Sequence, residues 1–172
     1  PSGNYSRPPL ASDGCVVLSN ADFLAISNIV DIAKTPVIIS ESITFIDQLA
    51  WKTERLNARK LLNEWQQDLS RINESSLARH YSKNFKSSSN DTSSAWLQKQ
   101  INSVRSIGKD GLKLRDVSQF KYPAREEIIV SNFIQDVVSS KGTAVYKRRQ
   151  YWQKESGLWR IVFEDQNFVS GT

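Results

Sequence analysis

The sequence predicts an α+β fold, and three observations lead to that prediction. Apolar residues recur every three or four positions through residues 51–104, which is the spacing of one helix face. From about residue 112 the apolar positions alternate with a period of two, which is typical of strands. Helices that precede a block of strands, without alternating with them, favour an antiparallel sheet.

A short strand and a helix are predicted at the start of the chain. CVVL at 15–18 is an apolar run that follows a glycine. Ser19 is placed to cap a helix running to about Ala33, with Asp22 where a variant of the capping box needs an acidic residue.

A second strand and a domain boundary follow. Thr35-Pro36 ends the helix, and VIISESITFI at 37–46 is rich in β-branched residues. The helical pattern then starts near Trp51, so we expect one domain to end at residue 49 and residues 50–172 to form another.

Three helices open the second domain. The first carries the apolar residues Ala58, Leu61, Leu62, Trp65, Leu69 and Ile72. A short second helix is expected to carry Leu77, Tyr81 and Phe85. After the loop KSSSNDTSS, a third helix ends before Gly108 and carries Trp96, Leu97, Ile101 and Val104.

Four strands complete the second domain. They are expected at about 112–121, 126–138, 143–154 and 158–168. Gly142 and the ESG at 155–157 are turn signals, so the last three strands should form an antiparallel meander.

Alternation separates the two faces of the last two strands. One face of the 143–154 strand carries Ala144, Tyr146, Arg148, Gln150 and Trp152. In the final strand, Trp159, Ile161 and Phe163 should share a face, with Arg160, Val162 and Glu164 opposite. Tyr146, Arg148, Trp152 and Gln135 are candidates to line a cleft for a sugar or peptide. The alternative is that the aromatic residues are core and the cations lie on a solvated face.

Composition excludes several classes of protein. No apolar run approaches the roughly 20 residues of a membrane span, so no transmembrane segment is expected. One cysteine and one histidine leave no thiolate or histidine set for zinc, so neither a metal nor another cofactor is expected. The absence of methionine and a start at Pro1 indicate a processed or partial polypeptide.

Charge is divided unevenly along the chain. Residues 1–49 hold two basic and five acidic side chains, which leaves a net charge of +8 in the remainder of a chain whose total is +5. A basic second domain suggests an anionic partner, which could be nucleic acid, a lipid surface or a wall polymer.

Cys15 is the one candidate nucleophile. Ser12-Asp13-Gly14-Cys15 is a tight turn in which the N–H groups of Gly14 and Cys15 could stabilise an oxyanion. A thiol also needs a base and a lowered pKa before it attacks. The alternative is that Cys15 is a small buried hydrophobic residue.

The segment RPPLASDGCVVLSNADF at 7–23 resembles the nucleophile segment of YkuD-type L,D-transpeptidases. Those enzymes carry Ser-x-Gly-Cys, an apolar strand and Asn-x-Asp, which Ser12, Gly14, Cys15, Asn20 and Asp22 match. TPVIIS resembles the closing strand of that catalytic domain. The resemblance implies that Cys15 forms a thioester with a peptidoglycan stem tetrapeptide, releasing the terminal D-alanine, and that an amine or water then resolves it. Ser12 would shape the active-site turn and the Gly14 backbone would contribute to the oxyanion hole.

Two departures from that family matter. Asp13 stands where many members have His, and Val17 where many have Arg, so Asp13 is only a candidate substrate contact. The family's His-Gly base precedes the cysteine, and residues 1–14 contain no histidine. His80 lies in an amphipathic segment and is not expected to replace it, so the isolated chain should be inactive.

The second domain resembles the cone-shaped nuclear transport factor 2-like fold, with three helices packed on a curved antiparallel sheet. YKRRQYWQKESGLWRIVFED at 146–165 and SNFIQDV at 131–137 are similar to the strands of such domains fused behind L,D-transpeptidase cores. The resemblance implies a periplasmic or envelope location and peptidoglycan stem peptides as partners, with a second copy or an envelope protein as further candidates. One alternative stays open, a non-catalytic binding or dimerisation module. Nucleic-acid binding is not expected, because no nucleic-acid motif accompanies the basic residues.

Overall fold

A computed structural model describes residues 15–31, 35–42, 44–105, 107–122, 126–140 and 142–171, without the side chains of 108–110. The chain divides into two compact units, Pro1–Val37 and Ile38–Thr172. The predicted boundary at 49/50 stays a prediction.

The first unit contains helix α1, Asn20–Ser27. Ser19 is its N-cap, as predicted: the Ser19 Oγ accepts the Asp22 N–H at 3.1 Å and lies 2.7 Å from Asp22 Oδ2. The helix ends at Ser27, short of the predicted end at Ala33, which lies outside the described residues.

The two strands predicted for the start of the chain are not formed in the described residues. Residues 15–18, and the described residues of 37–46, have no strand structure. A strand is stabilised by hydrogen bonds to a neighbouring strand, and these segments pair with none in the part of the chain that the structure describes. Apolar composition by itself therefore did not identify strands in these two segments.

The second unit contains the other eight elements. The helices are α2 (Gln48–Ser70), α3 (Glu74–Arg79) and α4 (Ser93–Val104). The strands are β1 (Tyr81–Ser87), β2 (Ile107–Tyr122), β3 (Ile128–Ser139), β4 (Gly142–Glu155) and β5 (Leu158–Gly171). Together they are called here the sheet domain.

The sheet has the strand order β1-β5-β4-β3-β2. β2 to β5 form an antiparallel meander, which confirms the four strands and the hairpins predicted from the sequence. The two-residue turn between β4 and β5 has Ser156 at φ 49° and Gly157 at φ 83°, the signs that a type I′ hairpin requires.

β1 corrects the sequence prediction. Tyr81 and Phe85 were expected on a helix, but both lie on β1, which pairs in parallel with β5. The sheet is therefore mixed, not purely antiparallel. A spacing of four is ambiguous because it returns a side chain to the same face in a helix and also in a strand. The predicted short helix is α3, which ends at Arg79.

The core lies between the helices and one face of the sheet. α2 contributes Ala58, Leu62, Trp65 and Leu69, and α4 contributes Trp96, Ile101 and Val104, at the positions that the helical period predicts. They pack against residues of the sheet that include Phe133, Trp152 and Ile161. Trp65 on α2 and Trp152 on β4 are fully buried, so the helices cover this part of the inner face of the sheet.

No helix in the described ranges has both the length and the apolar character that crossing a membrane requires.

Candidate functional site

The exposed thiol of Cys15 lies just before α1. The alternative prediction, a buried small hydrophobic residue, does not hold for Cys15 in this structure. The other residues of the predicted active-site turn, Ser12, Asp13 and Gly14, lie outside the described residues. Their roles stay predictions.

His80 is held within the sheet domain. Its Nε2 lies 2.8 Å from Oδ2 of Asp68 on α2, and its ring packs edge-on against Trp152 with centroids 6.2 Å apart. Because His80 follows α3 directly, its side chain links α3 to α2 and β4. These contacts account for the histidine as a structural residue.

A group of polar side chains occupies the inner face of the sheet. This inner cluster consists of Gln100 on α4, Gln135 on β3, Arg148 and Gln150 on β4, and Glu164 on β5. All five residues are buried, and the side chains of Arg148 and Glu164 are completely inaccessible to solvent.

Arg148 is the central donor of the inner cluster. Its Nη2 donates to Glu164 Oε1 in an ion pair, and its Nη1 donates to the side-chain oxygens of Gln135 and, at 2.8 Å, Gln100. The guanidinium carbon also lies 4.8 Å from the ring centre of Trp65. A buried charge is tolerated only when it is paired and hydrogen-bonded, and this arrangement satisfies both conditions.

Glu164 accepts four hydrogen bonds. Besides Arg148, Gln150 Nε2 donates to Oε1 at 3.1 Å. Tyr81 OH and Trp96 Nε1 each donate to Oε2 at 2.9 Å. A carboxylate whose two oxygens are both occupied in this way has little capacity left to accept a further hydrogen bond from a substrate.

Tyr81 connects the inner cluster to α2. Its hydroxyl accepts a hydrogen bond from Trp65 Nε1 at 3.0 Å while donating to Glu164. Burial, and secondly the negative charge of Glu164, raise the pKa of Tyr81 well above its usual value of 10.0. The phenol therefore stays protonated and remains a donor near neutral pH.

A bulge explains how Glu164 comes to face inward. Strict alternation predicted Ile161 and Glu164 on opposite faces, yet both are fully buried. The register of β4 with β5 shifts between Tyr151 and Trp152, so Ile161 pairs with Trp152 and Glu164 with Gln150. Phe163 was predicted to share a face with Ile161. It pairs instead with Tyr151, which lies between the inward-facing Gln150 and Trp152 and so belongs to the other face of the sheet.

Four buried polar atoms of this face have no hydrogen-bond partner among the described residues. They are Gln135 Nε2, Arg148 Nε, Gln150 Oε1 and Trp152 Nε1. Three are donors and one is an acceptor, so these atoms of the inner face could form further hydrogen bonds.

The structure brings together two of the four predicted cleft residues. Gln135 and Arg148 are hydrogen-bonded. Trp152 is buried against His80, and half-buried Tyr146 packs on Phe168 with ring centroids 5.7 Å apart. Substrate contact by any of them stays a prediction.

Sequence reasoning missed Glu164, Gln100 and Gln150 as members of the cluster. Gln150 could have been found, because it lies two residues from Arg148 on the same predicted face. Glu164 could not have been found, because a bulge turns it inward. Gln100 could not have been found either, because its place in the cluster depends on how α4 packs on the sheet.

In the described ranges no three His, Cys, Asp or Glu side chains gather as a metal site would require.

In a comparison of the sequence with protein families, the model of the family described as the Cds6 C-terminal NTF2-like domain matches residues 57–165. A comparison with curated protein sequences finds no match.

Solved structures share the fold at low sequence identity. Bd1075 of Bdellovibrio bacteriovorus superposes with a TM-score of 0.73 at 15% identity, covering 91% of this chain and 57% of that protein. An NTF2-like protein of unknown function from Pseudomonas putida has a TM-score of 0.52 at 10% identity, over 67% of this chain and 87% of that one. The helical cell shape determining protein Pgp2 from Campylobacter jejuni has a TM-score of 0.50 at 16% identity, over 60% and 38%. This chain thus spans little more than half the length of Bd1075.

Proposed function

This chain belongs to the family of Cds6 C-terminal NTF2-like domains, and from that premise we propose that its sheet domain serves a larger wall enzyme. That enzyme is a peptidoglycan L,D-transpeptidase or L,D-carboxypeptidase of the periplasm or envelope. Cys15 is its nucleophile, and the sheet domain positions substrate or contacts another protein.

The observation that carries this proposal is the exposure of apolar side chains among the described residues of 16–46. Phe45 is 90% exposed, Ile29 80% and Ile39 79%, and α1 buries none of its residues. Burying such surface is worth about 25 cal/mol per Å², so a segment this apolar is expected to lie against a larger core. The last part of a catalytic domain, with the rest of that domain covering it, has this character.

Fold similarity extends ahead of the family domain. The match to Bd1075 extends over 91% of this chain, whereas the family model covers only residues 57–165. The similarity therefore includes residues ahead of the family domain. Pgp2, which shares the fold, is described as a determinant of helical cell shape, a property in keeping with action on the wall.

The chemistry follows from the thiol. The Cys15 thiolate attacks the carbonyl carbon of the scissile peptide bond in a stem tetrapeptide, and the tetrahedral oxyanion collapses to a thioester as D-alanine leaves with a proton. An amine or water then attacks the thioester and returns the thiol. His80 is held by Asp68 in the sheet domain, so the base that activates the thiol is expected in a part of the parent protein beyond these residues.

The test is activity of the full-length parent on purified muropeptide tetrapeptides, followed by chromatography of the products. Cys15→Ala should lower the rate of tripeptide or cross-linked dimer formation by a factor on the order of a thousand or more. Ser89→Ala, an exposed hydroxyl of the sheet domain, is the control and should leave the rate unchanged. A Cys15→Ala parent with normal activity would refute the assignment.

One observation favours a second candidate, a non-catalytic binding or dimerisation module. The family model matches the sheet domain and leaves Cys15 outside. Alkylation of the native parent near neutral pH separates the two candidates. A catalytic thiol should react much faster in the native parent than in denatured protein, whereas an inert thiol shows no such acceleration.

A further inference from the structure

The first ten residues of α2 extend ahead of the core. Ala58 is the first buried residue of this helix, so residues 48–57 have no buried side chain. At 1.5 Å per residue this part of α2 is about 15 Å long. β2 holds it on one side, because Lys121 Nζ donates to Glu54 Oε1 at 2.8 Å and Gln119 Nε2 donates to the Ala58 carbonyl oxygen at 2.9 Å. The helix therefore presents its other side from a fixed position.

Two exposed leucines lie on that other side of the helix. Leu49 is 74% exposed and Leu56 is 70% exposed. The two leucines are seven positions apart, so they share one face, and Leu56 lies about 160° around the helix from Ala58. Scattered single apolar residues are ordinary on a protein surface, whereas two aligned on the face opposite the core indicate a second contact surface.

Two cations lie on the same face as the leucines. Lys52 is three positions after Leu49 and four before Leu56, and Arg59 is three positions after Leu56. These four residues are called here the exposed stripe of α2. Both cations are exposed, and neither forms a salt bridge with another described residue. The exposed stripe thus combines apolar side chains with uncompensated positive charge.

The charged residues beside the exposed stripe already have partners. Glu54 is paired with β2, and Lys60 Nζ lies 3.8 Å from Glu64 Oε1 on the next turn. The guanidinium carbon of Arg55 lies 5.3 Å from the centre of the Trp51 ring. These contacts leave the stripe without a carboxylate of its own, so its charge is available to an anionic partner.

The chemistry of the exposed stripe matches one kind of surface. An apolar protein surface would cover the leucines but would bury Lys52 and Arg59 without a counter-charge, which is costly. An anionic phospholipid surface accepts both groups, because apolar side chains enter the boundary of the acyl chains while cations meet the phosphates. Long cationic side chains can keep their charged ends in the headgroup layer while their stems lie on apolar surface.

We infer that the exposed stripe of α2 docks on an anionic phospholipid membrane, with Leu49 and Leu56 entering the interface and Lys52 and Arg59 contacting lipid phosphates. The membrane contact holds the sheet domain beside a bilayer without a membrane-spanning segment. It uses no residue of the predicted active-site turn, so it does not depend on the proposed chemistry.

The experiment is co-sedimentation with vesicles made of equal parts phosphatidylglycerol and phosphatidylethanolamine, using both the full-length parent and this 172-residue chain. Both proteins should bind, and added salt should weaken binding because it screens the contacts to phosphate. Lys52→Gln combined with Arg59→Gln should weaken binding roughly thirtyfold, as expected for two cations near such a surface. Leu49→Ser combined with Leu56→Ser should weaken it at least about tenfold.

Control variants and neutral vesicles make the test specific. Lys83→Gln combined with Lys86→Gln removes the same charge from exposed positions of β1, and Leu158→Ser removes an exposed leucine at the β4–β5 hairpin. Both controls should bind like the unaltered protein. Lys52→Arg combined with Arg59→Lys keeps the charge and should also bind normally. Vesicles of phosphatidylcholine alone should bind roughly tenfold less. Far-ultraviolet circular dichroism checks that each variant keeps its helix content.

Several results would overturn the membrane assignment. Equal weakening by the stripe variants and their controls would do so, as would equal binding to neutral and anionic vesicles. A parent that does not bind would overturn it even if the shorter chain binds, because another part of the protein would then cover the stripe. Dimerisation without vesicles that Leu49→Ser combined with Leu56→Ser abolishes would reassign the stripe to a second copy of the chain.

Discussion

At the scale of single residues, the buried pair of Arg148 and Glu164 is the most demanding feature of the molecule. Each charge is desolvated completely, so each depends on the other and on the amides and rings around them. Glu164 alone receives hydrogen bonds from β1, α4 and β4, which places one carboxylate at the junction of three elements. Its contacts are consistent with a structural role.

Removing one charge of the pair should strongly destabilise the fold. Glu164→Gln leaves the Arg148 guanidinium buried without a counter-charge, and we expect the free energy of unfolding to fall by about 3–5 kcal/mol. Urea denaturation followed by tryptophan fluorescence measures the change.

Two further variants make that prediction specific. Asp165→Asn removes the same charge one residue away, where the carboxylate is only partly buried and contacts Asn167, and should change stability by no more than about 0.5 kcal/mol. Adding Arg148→Met to Glu164→Gln removes both charges and should restore part of the loss. A double variant less stable than Glu164→Gln alone would show that the ion pair is not the cause.

At the scale of elements, the hairpin between β4 and β5 positions Glu164. Its two turn residues both have positive φ, a backbone conformation that costs little for glycine and more for other residues. The turn sets the pairing register of β4 with β5 next to the hairpin, and the bulge at Tyr151/Trp152 shifts that register farther along the strands.

Substitutions in that turn should have opposite effects on stability. Gly157→Ala meets no atom within 4 Å, so its cost is backbone strain alone, about 1 kcal/mol. Ser156→Asn introduces the Asn-Gly pair that type I′ turns prefer and should stabilise by a few tenths of a kcal/mol. Thermal unfolding of the two variants and the unaltered chain measures which is more stable. Gly157→Ala with unaltered stability would contradict the assigned turn conformation.

At the scale of the whole molecule, the two units differ in how they use their apolar residues. The sheet domain buries one set of apolar residues, including Trp65, Trp96 and Trp152, around a single core. The first unit exposes Phe23, Leu24 and Ile26 on α1, where a helix of eight residues has no buried side chain. Isolated helices of that length are marginal, so α1 is expected to depend on a partner surface.

Exposed apolar surface should be detectable by an environment-sensitive dye. Phe23→Ser, Leu24→Ser and Ile26→Ser together should lower dye fluorescence of this chain and change the free energy of unfolding by no more than about 0.5 kcal/mol. Leu62→Ala is the contrasting variant, because it opens a cavity in the core and should cost about 2–5 kcal/mol without lowering dye binding. Strong destabilisation by the α1 substitutions would show that those side chains are buried.

Local patterns in the sequence determined much of this architecture. The apolar period located α2 and α4, alternation with turn residues located β2 to β5, and Ser19 was recognised as a cap. The division of β4 into two faces was correct as well, with Arg148 and Trp152 on the same side, but which of the two faces is buried was not predicted. These features depend on interactions between residues close in the chain, which a periodic pattern records.

Tertiary structure alone decided the rest. Tyr81 and Phe85 became a strand because β5, some 80 residues later, offers a parallel partner. A bulge in β5 turned Glu164 inward to meet Arg148, and residues 15–18 formed no strand among the described residues. Strand pairing, register shifts and buried ion pairs join residues distant in sequence, so no local period can encode them.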